Sequence, residues 1–145
     1  VPGIDECLLE AMTLPGARGA AVVDWTSGLA LGAVGEPSCG DHETTAAETA
    51  ELARTAAEHT AFAGPGGSRS ASGDGEPGRE AEPGAGEPVE DLIVTTRDGY
   101  HLLRFIGQQV FDGSLFIHLW LDREDGNLAL ARIRLRHLCE RLVLA

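Results

Sequence analysis

Apolar positions along the chain follow two rhythms, and their succession predicts eight elements. Ile4, Cys7, Leu8, Ala11 and Met12 recur at i, i+3, i+4, i+7 and i+8, the stripe of an amphipathic helix that Leu14-Pro15-Gly16 ends. Arg18 to Trp25 and Leu29 to Val34 are short apolar runs joined at Thr26-Ser27-Gly28, a hairpin pattern. Gly19 and Gly32 inside these runs mark a bulge or a close backbone approach. Asp41 is an N-cap type with Glu43 in the following turn, and the helix it opens is expected to run to about Phe62. Ala46, Ala50, Ala53 and Ala57 form its inner stripe. Val89 to Thr96 and Tyr100 to Ile106 read as a second hairpin about Arg97-Asp98-Gly99. Gly107 to Gly113 reads as a loop, and Ser114 to Leu121 is apolar on both faces, the pattern of a covered central strand. Beyond Asp125-Gly126-Asn127, Leu128, Ala131, Leu135, Leu138 and Leu142 keep helical spacing.

One stretch breaks both rhythms. Residues 63–88 hold eight Gly, four Pro, four Ala and four Glu, with no Leu, Ile, Val or aromatic residue. Such a segment buries too little apolar surface to offset its ordering entropy, so it is expected to be disordered. Neither flank looks complete alone. The expectation is a single domain over 1–145, interrupted by an insert at 63–88. The element order α-β-β-α-β-β-β-α predicts an α+β fold, a five-stranded antiparallel sheet with helices on both faces.

Composition narrows the function. Twenty-three acids against eleven basic residues give a net charge of −12. That excludes a general nucleic-acid binder, which needs a basic face. All the basic residues are Arg, so lysine Schiff-base and P-loop chemistry are excluded. Residues 1–62 carry ten acids and two Arg, so the acidity is concentrated there. No stretch reaches the roughly 18 apolar residues of a membrane span, so no membrane insertion is expected. Three cysteines without a CxxC, and a start lacking a basic and an apolar leader region, lead to the expectation of a reduced, cytoplasmic protein.

A search for chemistry finds little. No two of the five histidines have zinc-motif spacing, and no metal or other cofactor is expected. The densest ligand cluster, Asp41-His42-Glu43, reads as a helix cap; an enzyme built on it is the weakest reading. His118 reads as a packed strand residue. Glu48, Glu51 and Glu58 beside the Ala stripe form either a solvated helix face or an acidic rim that steers a basic partner.

The stretch LPGARGAAVVDWTSGLAL, Leu14 to Leu31, resembles the opening hairpin of Roadblock/LC7 domains, with Gly16, Gly19, Asp24 and Gly28 at the matching places. The element order is similar too, in the manner of Roadblock, longin and profilin folds. The insert at 63–88 departs from the family, where that connection is usually short. The resemblance implies a non-catalytic homodimeric adaptor, with protomers joined through the long middle helices and the edge strand that follows. Here those would be Ala46, Ala50, Ala53 and Ala57 with Leu92 and Val94. The alternative for the Ala stripe is that it lies flat on its own sheet. The implied partner is a Ras-like small GTPase. The competing reading is a PAS/GAF-like small-ligand sensor, which needs a chamber between sheet and middle helix with polar groups such as Tyr100, His101 or His118.

Overall fold

The computed structural model describes residues 2–62, 89–106 and 114–144. The expected insert at 63–88 and the loop at 107–113 lie outside the described residues. The elements are α1 (Pro2–Ala11), β1 (Ala17–Asp24), β2 (Leu29–Gly35), α2 (His42–Glu58), a 3-10 turn (Thr60–Phe62), β3 (Asp91–Thr95), β4 (Gly99–Phe105), β5 (Leu115–Asp122) and α3 (Leu128–Leu144). The strands form one antiparallel sheet in the order β2-β1-β5-β4-β3. Helices cover both faces, as the sequence predicts.

The two faces are packed differently. On one, Ile4, Leu8 and Ala11 of α1 join Ala131, Leu135, Leu138 and Leu142 of α3 over Val22, Leu102, Ile117 and Leu119. Large aliphatic side chains fill this layer. On the other, Ala46, Ala50 and Ala53 of α2 lie against Ala21, Val23, Leu103 and Phe116. Alternate residues of each strand serve the two layers, the period-2 rule of a pleated sheet. β5 sits mid-sheet and is buried on both faces, as its apolar residues on both faces require.

The hairpin motif has a physical reading in this geometry. The Asp24 carboxylate accepts from the Thr26 amide at 2.9 Å and the Thr26 hydroxyl at 2.7 Å, which closes the turn after β1. Burial works against that carboxylate, yet the Thr26 hydrogen bonds hold it below its ordinary value. Gly28 completes the turn at φ 76°, a left-handed conformation that favours glycine.

α2 ends earlier than its composition predicts. His59 takes an extended conformation at φ −79° and ψ 129° and donates its amide to Thr55, closing the helix after Glu58. Ala56 and Ala57 are the last residues of α2 that are buried or half-buried, and Phe62 is 55% exposed. Burial of the Ala face, rather than helix propensity, sets the end. The Arg/Leu alternation after Asn127 is helical, as expected, and the Asn127 side chain caps it by accepting from the Leu130 amide at 3.0 Å.

Candidate functional site

The candidate site is the α2 side of the sheet. Asp41 opens α2, its carboxylate accepting from the Thr44 amide at 2.7 Å, and this bond leads the effects that lower its pKa. His42 Nε2 bonds the Gly35 carbonyl oxygen at 3.0 Å. Two members of the Asp41-His42-Glu43 cluster thus hold the helix start in place, and Glu43 is exposed in the first turn. Among the described residues there is no group of three or more potential metal ligands.

The Ala stripe seats α2 on its own sheet. Ala50 and Ala53 are 0% exposed and Ala46 is nearly so, closed off by Ala21, Val23 and Phe116 of the same chain. Small side chains bring the helix close to β1 and β2. These three residues therefore cannot form the surface that meets a second protomer, and that part of the sequence reading is corrected. Ala57 is half-buried against the same layer. Glu48, Glu51 and Glu58 are exposed along the outer side of α2.

What α2 leaves uncovered lies over β4 and β3. β3 is an edge strand. Leu92, opposite Leu103, packs against the α2 layer, while Val94, opposite His101, remains 39% exposed. Leu52 is 43% exposed on α2. It falls on the same flank as Thr45, which borders His118 and Trp120. Val94 thus sits on the edge strand itself, and Leu52 is an exposed apolar side chain of α2.

On the α2 side of the sheet, β4 and β5 carry an aromatic row. His101 stacks on Trp120 with ring centroids 5.9 Å apart and on His118 at 5.2 Å. His101 Nδ1 lies 3.0 Å from His118 Nε2. The Arg18 guanidinium caps Trp120 at 4.3 Å and pairs with Glu36 at 3.0 Å. The indole N–H donates to the Glu36 carbonyl at 2.8 Å. Gly19 makes this possible: a Cβ there would run into the Glu36 carbonyl and stand 2.7 Å from the indole nitrogen. Burial and the neighbouring His101 and His42 lower the His118 pKa to about 3; burial also lowers that of His101.

Sequence reasoning placed His118 in a packed strand but did not link it to His101 and Trp120. That link depends on the β4–β5 register, which places Trp120 opposite His101 and His118 opposite Leu103. Leu52 was also missed, although it is the one Leu of α2 and lies off the Ala stripe. The cavity bordered by His42, Thr45, Ala46, His118 and Trp120 measures about 10 Å³, room for a single water. The chamber that a sensor reading needs is closed there by side chains. The Cys7 and Cys139 thiols, buried between α1 and α3, are pushed up to about 11 and about 12 by burial, so they are poor nucleophiles.

A five-stranded antiparallel sheet with one helix on one face and two on the other, led by a helix and a Gly/Asp-containing hairpin, defines a class of α+β domains. Within that class, the chain has a Roadblock/LC7-type fold. It superimposes on Myxococcus xanthus MglB with a TM-score of 0.71 at 13% identity, covering 98% of this chain and 86% of that one. An MglB with a tetrameric arrangement gives 0.68 at 15% identity, covering 97% and 85%. A Roadblock/LC7 domain from Streptomyces avermitilis gives 0.61 at 14% identity, covering 95% and 92%. No family model matches the sequence, and no curated protein matches it. Among the described residues, no helix is long and apolar enough to cross a membrane.

Proposed function

We propose that this chain is a non-catalytic adaptor that pairs with a second copy of itself and regulates a Ras-like small GTPase. The observation that carries the self-association is the open β3 edge, where Val94 and Ile93 are exposed, with Leu52 exposed on α2. Unpaired edge strands with apolar side chains are templates for strand addition, and soluble proteins normally blunt them. Pairing β3 with its counterpart about a two-fold axis satisfies the free N–H and C=O groups of both edges. It also brings the exposed Val94 against its own copy. The tetrameric arrangement of the similar MglB supports self-association.

The GTPase partner rests on the hairpin resemblance to Roadblock/LC7 domains. In this reading Glu48, Glu51 and Glu58 on the outer side of α2 form the rim that steers a basic patch of that partner. The test is a titration of the full chain with a Ras-like GTPase from the same genome, loaded with GDP or with a non-hydrolysable GTP analogue. Association in at least one nucleotide state is the expected result. Absence of association in both states overturns the proposal.

A further inference from the structure

On the opposite face of the molecule, the end of α1 and the length of α3 enclose a cleft of about 380 Å³. One wall is a single ridge of α3: Leu130, Arg134, His137 and Arg141 fall at i, i+4, i+7 and i+11. The other wall is Glu10, Thr13, Leu14 and Pro15. Leu14, Leu130 and Leu138 make the floor apolar.

The charge at this place opposes that of the rest of the chain. The molecule carries −12, yet residues 128–144 hold four Arg and one acid, Glu140. Three of those arginines are engaged: Arg132 with Asp91, Arg136 with Glu140, and Arg141 with Glu10 across the cleft. Arg134 makes no ion pair among the described residues and stands exposed on the cleft wall. An uncommitted guanidinium above an apolar floor matches a carboxylate borne next to an aliphatic side chain. The planar fork of Arg binds carboxylates in two-point fashion.

We infer that the α1–α3 cleft docks an acidic–aliphatic segment of another protein, with a carboxylate on Arg134 and a leucine-sized side chain on the Leu14, Leu130 and Leu138 floor. Its volume is near the lower end of binding clefts, about 300–1,000 Å³. The ridge from Leu130 to Arg141 spans eleven helical steps, about 16 Å at helical rise, which suits a length of chain rather than a compact ion. The cleft lies on the α1–α3 side of the sheet, away from Leu52 and Val94. Occupying it leaves the α2 side free, so one molecule can hold two partners at once. This inference does not depend on the GTPase reading, and a failed GTPase titration leaves it standing.

The test is an NMR titration of the isotope-labelled full chain with a synthetic decapeptide centred on Leu-Glu-Glu-Leu. Control peptides carry Leu-Gln-Gln-Leu or Ala-Glu-Glu-Ala, and sodium acetate supplies the bare carboxylate. The expected result is shifts confined to residues 10–15 and 130–141, with a Kd in roughly the 0.1–1 mM range. Both control peptides and the exposed-site variant Arg134→Glu should weaken binding by about tenfold, a factor worth about 1.4 kcal/mol. Leu130→Ala, which keeps every charge, should weaken it as well, and acetate alone should leave the spectrum unchanged. The inference is overturned by equal binding of the Gln peptide or by the Arg134→Glu protein. It is also overturned by acetate reproducing the shifts, or by no shift at about 5 mM peptide.

Discussion

The Nδ1 atom of His101 and the Nε2 atom of His118 stand 3.0 Å apart, on adjacent strands β4 and β5. One proton bridges them, so two neutral rings satisfy the bond and two imidazoliums cannot. His118 is almost completely buried and lies close to His42 as well as His101. Its pKa is about 3 in the folded chain and about 6.5 in the unfolded one. The unfolded state therefore binds the extra proton first as the pH falls. Stability from this group is complete above about pH 6.5 and is lost progressively toward pH 3, by about 1.4 kcal/mol per unit. Urea midpoints measured from pH 7.5 to 4.5 should fall with pH, and His118→Gln should fall less steeply. Parallel profiles for the two proteins would contradict the pairing.

Gly19 is expected to tolerate no side chain. A Cβ would displace the Glu36 carbonyl and the Trp120 indole, and the carbonyl belongs to backbone that cannot swing away cheaply. Gly19→Ala should cost about 2–3 kcal/mol in urea unfolding and should perturb Trp120 fluorescence. Gly28→Ala, whose Cβ meets only Ala47 Cα at an ordinary 3.9 Å but sits at φ 76°, should cost only about 1–2 kcal/mol.

The seat of α2 gives a contrasting pair. Ala50→Leu adds methylenes where Ala50 has no exposed surface, and should destabilise the chain by about 1–3 kcal/mol. Leu52→Lys, on the exposed flank, should leave the folded secondary structure intact and weaken self-association instead. Circular dichroism with urea titration separates the first effect, and sedimentation at several concentrations the second. Loss of folding in Leu52→Lys at every concentration would place Leu52 in the core rather than at an interface.

Much of the fold is legible in the sequence because each element has its own rhythm. The short apolar runs on either side of Thr26-Ser27-Gly28 place β1 and β2, the apolar run from Leu115 to Leu121 announces a covered strand, and Ala131, Leu135, Leu138 and Leu142 mark the buried face of α3. Asp24 and Gly28 declare the turn between the first strands. Periodicity names a face, however, without naming what covers it. The Ala stripe of α2 was visible, but that the chain's own Ala21, Val23 and Phe116 cover it was not. The row of Trp120, His101 and His118 was likewise hidden, because it needs the β4–β5 register, which neither strand specifies alone. The end of α2 at Glu58 depends on where the sheet stops supporting the helix, a tertiary fact.

Self-association through β3 and the flank of α2 is the central claim, and light scattering of the full chain tests it most directly. One chain has a mass of 15.2 kDa, so a dimer should scatter at about 30 kDa. Val94→Arg, which sets a charge against its own copy across the paired edges, should return the mass to that of one chain without loss of secondary structure. A wild-type chain that stays at the mass of one protomer at every concentration up to the millimolar range would contradict the claim.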